Sequence, residues 1–343
     1  MKNNNNSFSD FISLSEKYGR DDQLIQGAGG NTSFKDSSHM LIKASGKWLS
    51  EAKNGDIFVD VDLSKIQGLI ENNSKDPLHG AVLTNAGLKP SIETTLHAIM
   101  PHKIVVHTHP IDIIGIAIKN DAKSIFSTIL HGIKWAWVDY AKPGVELTKL
   151  VRKAIISKKI DVLILGNHGL VVAGETCSEV DSLMQDIQLL CKLPARRFDY
   201  KKVNLPPVQL SFGTWARTED NLINSLAMDP ISNSFFQKGI LYPDQAVFLG
   251  SEPCFVGLEE NPENIVQSYA DKNSVYPSYY IHRDVGVYLS ERASRNIAVM
   301  LKCHAEVLSR IGGDEILNVL SACQVSELVN WDAEKYRQAM ESH

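Results

Sequence analysis

Ile104-Val105-Val106-His107-Thr108-His109 is a β-branched apolar run that ends in two histidines spaced two residues apart. Such a run predicts a buried β-strand. Side chains two residues apart in a strand project from the same face of the sheet, so both imidazoles can reach one point at the strand end. We interpret the pair as two ligands of a divalent metal ion.

A third histidine follows another apolar run that predicts a buried strand, Val162-Leu163-Ile164-Leu165, in the sequence Gly166-Asn167-His168-Gly169. Three neutral imidazoles leave a fourth metal position for water or substrate, which is the arrangement of catalytic zinc. The alternative is ordinary, since a lone histidine at a strand end is usually a hydrogen-bonded polar residue and eleven histidines form some close pairs by chance. The third histidine favours a metal site on His107, His109 and His168.

Composition narrows the class of protein. At 343 residues, with 43% hydrophobic and 22% charged residues, the chain is globular and long enough for two cores. The formal net charge is -5, and the basic residues form no stripe along the sequence. We therefore expect a small-molecule substrate, and neither nucleic acid nor a membrane as partner. Five cysteines without CxxC spacing, and no apolar signal or spanning segment, predict a cytoplasmic protein.

Two loops are rich in small residues, and the first of them can also bind an anion. Gly27-Ala28-Gly29-Gly30-Asn31-Thr32-Ser33 lacks the third glycine of a dinucleotide fingerprint, but its backbone N–H groups and side-chain donors can surround an anionic oxygen. From the sequence alone, however, we favour a plain turn for this loop. Ala44-Ser45-Gly46-Lys47 follows a predicted strand, Met40–Lys43, which precedes another at residues 57–61.

A predicted helix begins at Pro90-Ser91-Ile92-Glu93, with Ser91 as its N-cap and Glu93 in its first turn. A carboxylate near a helix N-terminus is favoured in its charged form, which suits a base or a metal partner. Alternatively, Glu93 only neutralises the helix end. For His97, one turn later, we favour a buried hydrogen-bonding role over a metal pair with Glu93.

The chain is predicted to form two domains, residues 1–204 and 205–343, joined by a proline-containing polar linker. Thr176 and Glu179 predict a capping box for the last helix of the first domain. The second domain is either a degenerate copy of the first or unrelated to it. If it is a copy, residues 243–248 correspond to the strand that leads to His107, and a strand-glycine-strand-helix order recurs around Gly286.

These segments together resemble the class II aldolase/adducin family, which includes the fuculose-phosphate and rhamnulose-phosphate aldolases. The C-terminal Leu241-Tyr242-Pro243-Asp244 is similar to a stretch of the family's longer members. The resemblance rests on five segments in the family's order: Gly30-Asn31-Thr32-Ser33, Ala44-Ser45-Gly46-Lys47, Pro90-Ser91-Ile92-Glu93, His107-Thr108-His109-Pro110 and Asn167-His168-Gly169.

The resemblance implies an α/β fold, an αβα sandwich with a mixed central sheet, followed by a smaller α/β C-terminal domain. It also implies Zn²⁺, or another divalent metal such as Mn²⁺ or Co²⁺, on the three histidines, with Glu93 as the acid/base. One departure is Ile92, which stands where many sugar-phosphate enzymes have a second serine. The positions that match the family's substrate-binding residues are Gly30, Asn31, Thr32, Ser45, Gly46 and Ser91.

The implied function is metal-dependent aldol cleavage or condensation of a ketose or ketose phosphate through a metal-stabilised enediolate. The same site supports epimerases, dehydratases and decarboxylases within the family. A non-catalytic scaffold like the adducin head is the alternative of another class, although such heads lack the metal histidines. The resemblance also implies a homo-oligomer and a tyrosine acid, for which the candidates are Tyr140, Tyr242, Tyr279, Tyr280 and Tyr336.

Overall fold

The computed structural model describes residues 2–83, 87–198 and 205–339, with the backbone alone for 2–6 and 337–339. The chain divides into two units. The first ends at Lys192 and also takes in the segment that begins at Trp331, and the second runs from Leu193 to Asn330. Among the described residues, no helix combines the length and apolar character needed to cross a bilayer.

Seven strands form one sheet in the first unit. They are β1 (Asn31–Lys35), β2 (His39–Lys43), β3 (Phe58–Asp62), β4 (Ile104–Thr108), β5 (Trp135–Val138), β6 (Val162–Leu165) and β7 (Gly169–Gly174). Their order across the sheet is β3-β2-β1-β4-β7-β6-β5. Among these described strands, only β5 and β6 pair in parallel, which confirms a mixed sheet.

Helices cover both faces of this sheet. They are α1 (Lys2–Gly19), α2 (Leu63–Glu71), α3 (Thr94–Ile99), α4 (Ile111–Ala117), α5 (Ala122–Ile129), α6 (Val145–Ile155) and α7 (Cys177–Leu190). Ala173 of β7 belongs to a buried cluster with Leu96 of α3 and Val151 of α6. Gly174 points to the opposite face, where it lies against Val180 of α7. The predicted αβα sandwich is therefore confirmed.

Local sequence explains where most of these elements begin and end. Every residue of β4 is buried, as a strand between two helical layers requires. The predicted capping box of α7 is present, because Thr176 accepts from the backbone N–H of Glu179 and Glu179 accepts from that of Thr176. The start of α3 differs from the prediction. The helix begins at Thr94, so Glu93 is its N-cap residue, and Ser91 Oγ accepts from Glu93 N in a turn before it.

The second unit is built on a five-stranded sheet. Its strands are β8 (Val208–Leu210), β9 (Gly213–Arg217), β10 (Phe255–Val256), β11 (Tyr279–His282) and β12 (Gly286–Ser290). The order is β10-β11-β12-β9-β8, and β10 and β11 pair in parallel. Its helices are α8 (Asn221–Met228), α9 (Pro230–Lys238), α10 (Pro243–Leu249), α11 (Pro262–Asn273), α12 (Arg295–Ser309) and α13 (Ala322–Val329). Tyr280 lies at its core, with its ring stacked 4.8 Å from that of Tyr288.

The correspondence expected between residues 243–248 and β4 is wrong, because this segment forms helix α10. Pro243 occupies the first turn, where its missing N–H costs nothing and its φ favours a helix. The strand-glycine-strand-helix order around Gly286 is present as β11, β12 and α12. The degenerate copy of the first domain stays a prediction.

The C-terminal segment belongs to the first unit, whereas we expected every residue from 205 onward to form the second. It contains α14 (Asp332–Ala339). Trp331 accounts for the difference, because its indole lies under the Lys142 ammonium, 4.4 Å from the ring centroid, and beside Gly144. The expected boundary at residue 204 lies outside the described residues, which omit 199–204.

Candidate metal and active site

His107 is oriented by the pairing of β4 with β7. Its side chain is fully buried, and its Nδ1 lies 2.9 Å from the Leu170 carbonyl oxygen. A carbonyl oxygen can only accept, so Nδ1 must carry the proton that it donates. The other ring nitrogen, Nε2, therefore presents its lone pair, which is the state in which an imidazole ligates a metal.

The other two histidines converge on His107. His109 follows the end of β4, and its Nε2 lies 3.0 Å from His107 Nε2. His168 comes from the turn between β6 and β7, directly after Asn167, whose φ of 52° is left-handed. One ring nitrogen from each histidine lies within 4.8 Å of the others, and all three residues are buried. The structure thus brings together the three histidines that the sequence predicts as metal ligands.

Gly169 allows the imidazoles to approach so closely. A Cβ atom at this position would lie 2.5 Å from the Thr108 carbonyl oxygen and 3.1 Å from His109 Cδ2. Gly30, directly before β1, has a similar role, because its φ is +58° and a Cβ there would meet the His107 carbonyl oxygen at 2.8 Å. Both positions therefore require glycine.

A divalent cation fits this set of donors. Two unprotonated ring nitrogens that face each other at 3.0 Å repel through their lone pairs. The repulsion is removed if one nitrogen carries a proton or if both face a cation. Ligand nitrogens on a tetrahedral zinc ion are about 3.4 Å apart, given zinc–nitrogen bonds of about 2.1 Å. The nitrogen separations here span that value. The site can hold a metal ion on three nitrogens.

Glu93 places a carboxylate directly beside the histidines. Its Oε2 accepts a hydrogen bond of 2.8 Å from Asn31 Nδ2 and lies 3.3 Å from His107 Nε2. Its Oε1 lies 3.7 Å from His168 Nε2 and has no hydrogen-bond partner among the described residues. The side chain is almost fully buried, so this oxygen is an acceptor held within the site.

The surroundings of Glu93 favour its ionised form. Burial raises the pKa of this carboxyl, but electrostatic interactions with His107 and His168 and the hydrogen bond from Asn31 lower it, to about 2. Glu93 is therefore a carboxylate at neutral pH, poised to accept a proton or a hydrogen bond.

The predicted substrate-binding residues fall into two groups. Asn31 contacts Glu93, and the segments that carry Ser45 and Ser91 lie side by side, because Ala44 forms a bridge with Pro90. Thr32 differs, since its hydroxyl is fully buried and lies 2.8 Å from Ser15 Oγ of α1. The structure therefore joins Asn31 to Glu93 and places the segments of Ser45 and Ser91 side by side, whereas the Thr32 hydroxyl is directed toward α1.

Other polar residues have structural partners. His97 is fully buried with its Nδ1 2.7 Å from Ser33 Oγ, and burial lowers its pKa to about 3, so it is a neutral hydrogen-bonding residue. Of the candidate tyrosines, Tyr140 and Tyr336 belong to the first unit, and the other three belong to the second.

Two buried residues beside the glycine loop were missed by sequence reasoning. Gln26 Nε2 donates to the carbonyl oxygens of Asp22 and His109 and so connects the loop to a metal-site residue. Lys43 Nζ donates to the carbonyl oxygens of Ala28 and Lys47. Their proximity to the loops was visible in the sequence, but their inward orientation was not.

Comparison with curated proteins finds similarity over about half of the chain. The chain is 27% identical over 168 residues to L-fuculose phosphate aldolase of Methanococcus maripaludis, a match that covers 46% of this chain and 80% of that enzyme. It is 32% identical over 183 residues to the uncharacterized oxidoreductase YuxG of Bacillus subtilis, which covers 49% of this chain. The match spans only 26% of the length of that second relative.

One solved structure that is similar to this chain is also described as a class II aldolase domain. The N-terminal class II aldolase domain of a conserved protein from Thermoplasma acidophilum shares 26% identity with a TM-score of 0.47, covering 53% of this chain and 90% of that one. The class II aldolase and adducin N-terminal domain family matches residues 10–194, more than half of the chain, and these residues include Glu93 and all three histidines. The chain belongs to the class II aldolase and adducin N-terminal domain family.

Proposed function

We propose that the protein is a divalent-metal-dependent aldolase that cleaves or forms a carbon–carbon bond in a ketose or ketose phosphate. The observation that carries the proposal is the convergence of three buried imidazoles beside one buried carboxylate. Membership of the family supports it. The relative described as an L-fuculose phosphate aldolase, matched over most of its length, favours aldol chemistry on a sugar phosphate.

The metal would be held by His107, His109 and His168, and Zn²⁺, Mn²⁺ or Co²⁺ suits imidazole ligands. A bound divalent cation supplies positive charge that stabilises a substrate oxygen on which negative charge develops. The backbone contact from Leu170 keeps His107 in the tautomer that this role requires.

Glu93 would move the proton at the reacting carbon. Its Oε2 is held by Asn31, and this contact orients the carboxylate so that Oε1 is the oxygen available to take a proton. The almost complete burial of Glu93 excludes water that would otherwise compete for that proton. Asn31, Ser45, Gly46 and Ser91, with the backbone of Gly30, would bind the polar or anionic end of the substrate.

The proposal is tested by metal analysis together with a panel of ketoses and ketose phosphates assayed for aldehyde release. We expect stoichiometric divalent metal in the purified protein and aldehyde release that a chelator abolishes. His107→Ala should lose both. A protein without metal would support the scaffold alternative, and metal-dependent turnover without aldehyde would support an epimerase, dehydratase or decarboxylase instead. Light scattering tests the proposed homo-oligomer.

A further inference from the structure

A cavity of about 600 Å³ lies in the first unit, at the far end of β1 from the candidate metal site. Its walls come from the end of β1, from α2 and from the segment between α3 and β4. Strands β1 and β4 are antiparallel, and Asn31 pairs with His107 beside the metal site. Lys35, the last residue of β1, lies about 13 Å from Asn31 along the strand. The cavity is therefore separate from the site formed by the histidines.

Lys35 brings a buried ammonium group to this cavity. Only 5% of the residue is exposed, and its Nζ donates to the Met100 carbonyl oxygen at the end of α3. Among the described residues, that oxygen is its only hydrogen-bond acceptor, and no carboxylate forms an ion pair with it. An ammonium group carries three N–H donors, so Lys35 has two donors left for a ligand.

The surroundings of Lys35 compensate its charge poorly. Burial lowers the pKa of Lys35 to about 7, and the charge that opposes this shift belongs to Glu175, an exposed residue of the cavity wall. The neighbouring Asp36 carboxylate is engaged elsewhere, because it accepts from the backbone N–H groups of Ser38 and His39. An anion in the cavity would supply the charge that the buried ammonium lacks.

The wall beside Lys35 is apolar and carries a second cation. The rings of Phe8 and Phe34 meet edge to face, with centroids 6.1 Å apart, and Phe8 is 41% exposed. Lys103 Nζ lies 4.8 Å from the centre of the Phe34 ring. Covering the exposed phenyl ring with an apolar group removes hydrophobic surface from water. The wall therefore suits a ligand that has both an anionic group and a hydrocarbon part.

His102 adds a buried polar atom without a partner to the same wall. The residue is 2% exposed, and its Nε2 donates to Asp161 Oδ1 at 2.8 Å. Its Nδ1 is buried and has no hydrogen-bond partner among the described residues. Such an atom lowers stability unless a polar group satisfies it, and a ligand could provide that group. This observation is independent of Lys35 and also indicates a ligand.

We propose that this cavity binds a small organic carboxylate, with its anionic group on Lys35 and Lys103 and its hydrocarbon part on Phe8 and Phe34. The volume is typical of small-molecule sites. A singly charged carboxylate fits better than a phosphate dianion, because Asp36 also lines the cavity and repels a second negative charge. The site is a second one, and it does not depend on the aldol chemistry proposed for the metal centre.

Calorimetric titration of the metal-loaded protein with hexanoate tests the proposal, and hexanamide serves as an uncharged ligand of the same shape. We expect one hexanoate to bind per chain. Hexanamide should bind about tenfold or more weakly, because it lacks the charge-assisted hydrogen bond, and Lys35→Met should lose hexanoate affinity by a similar factor.

Two control variants locate the site. Lys119→Met removes another buried lysine, 8% exposed, that does not line the cavity, and it should bind hexanoate like the unmodified protein. His107→Ala should also retain hexanoate affinity, because the carboxylate does not bind at the metal centre. Aldehyde release is measured separately, so failure of the proposed aldolase activity leaves this test intact.

Proton uptake provides a readout that needs no variant. A bound carboxylate favours the charged form of Lys35 and so raises its pKa from about 7. At pH 8 binding should therefore take up about one proton, whereas at pH 6, where Lys35 is already charged, uptake should nearly vanish. Titrations in buffers of different ionisation enthalpy measure the uptake. Other titratable residues also surround Lys35, and they are Asp36, His97, His102, Lys103 and Glu175.

Several results would overturn the proposal. They are absence of hexanoate binding, equal affinity for hexanoate and hexanamide, unchanged affinity in Lys35→Met, or an equal loss in Lys119→Met. Loss of hexanoate binding in His107→Ala would place the carboxylate on the metal instead. If Lys35→Met does not fold, the contrast in proton uptake between pH 8 and pH 6 decides, and equal uptake at the two values would reject the role of Lys35.

Discussion

Glu93 shows how two oxygens of one carboxylate can have different tasks. Oε2 is occupied by the Asn31 amide at 2.8 Å, and Oε1 lies near His168 without a hydrogen bond from the described residues. An amide donor can orient a carboxylate without taking its charge. Under the proposed function, this asymmetry would leave Oε2 for positioning and Oε1 for proton transfer.

Glu93→Gln tests this assignment. Glutamine retains the size of the side chain but cannot accept and return a proton, so kcat should fall by about two to four orders of magnitude. The three histidines remain, so metal content should be unchanged. Both quantities are measured on the same preparation. Substantial remaining turnover with full metal would remove Glu93 from the mechanism.

Gly169→Ala should reduce metal affinity, because the added Cβ would lie 2.5 Å from the Thr108 carbonyl oxygen and crowd His109. Movement of the strand end would separate the ligand nitrogens, and we expect affinity to fall by about tenfold or more, as for other disturbances around metal ligands. Competition with a chromogenic chelator measures the loss. Gly68→Ala in α2 is the control, since its Cβ would meet nothing within 4 Å. Equal affinities in the two variants would contradict the packing argument.

Helix α7 is an element whose start is specified locally. Thr176 and Glu179 satisfy each other's backbone N–H groups, which the first turn of a helix otherwise leaves without partners. This interaction depends on residues three apart and not on the rest of the fold. It could therefore be predicted from the sequence.

Thr176→Ala should lower the free energy of unfolding by about 1 kcal/mol, because one capping hydrogen bond is lost. Urea denaturation measures the change, and aldehyde release by the folded protein should not be affected. Ser178→Ala is the matched control: Ser178 is exposed in the same turn, and its loss should change stability by less than about 0.5 kcal/mol. A similar loss in both variants would show that the effect does not come from the cap.

Other elements departed from their local signals. Ser91 had the chemistry of an N-cap, yet its Oγ bonds Glu93 N in a turn and α3 begins later, at Thr94. The bridge between Ala44 and Pro90 holds this segment against the neighbouring loop, so a tertiary contact delays the helix. Residues 243–248 likewise had an apolar pattern compatible with a strand, but they form α10. Short apolar runs do not distinguish the two structures.

A buried neutral histidine in each unit makes the stability of the protein depend on pH. Burial lowers the pKa of His304 from 6.5 to about 3, and His97 in the first unit is lowered similarly. Between these values the unfolded chain binds a proton that the folded chain does not. Above pH 6.5 these histidines therefore do not reduce the free energy of unfolding. Below that pH each of them lowers it, by up to about 1.4 kcal/mol per pH unit.

His304→Gln tests this linkage. The variant loses the contact with the Tyr242 hydroxyl and should be less stable at pH 7, but its stability should fall less steeply between pH 6 and pH 4. Chemical denaturation at several pH values, in the presence of a chelator, measures the slope without the contribution of metal release. Identical slopes for the variant and the unmodified protein would show that His304 does not titrate as described.

Strand periodicity was enough to predict His107, His109 and His168 as a group, and the signals of a helix start pointed to Glu93, because both depend only on residues close together in the sequence. Long-range packing decided the rest. In the folded chain the Thr32 hydroxyl contacts Ser15, Trp331 packs against Lys142 of the first unit, and the Lys43 side chain lies between two loops. These outcomes depend on segments far apart in the chain, whose mutual positions no local pattern encodes.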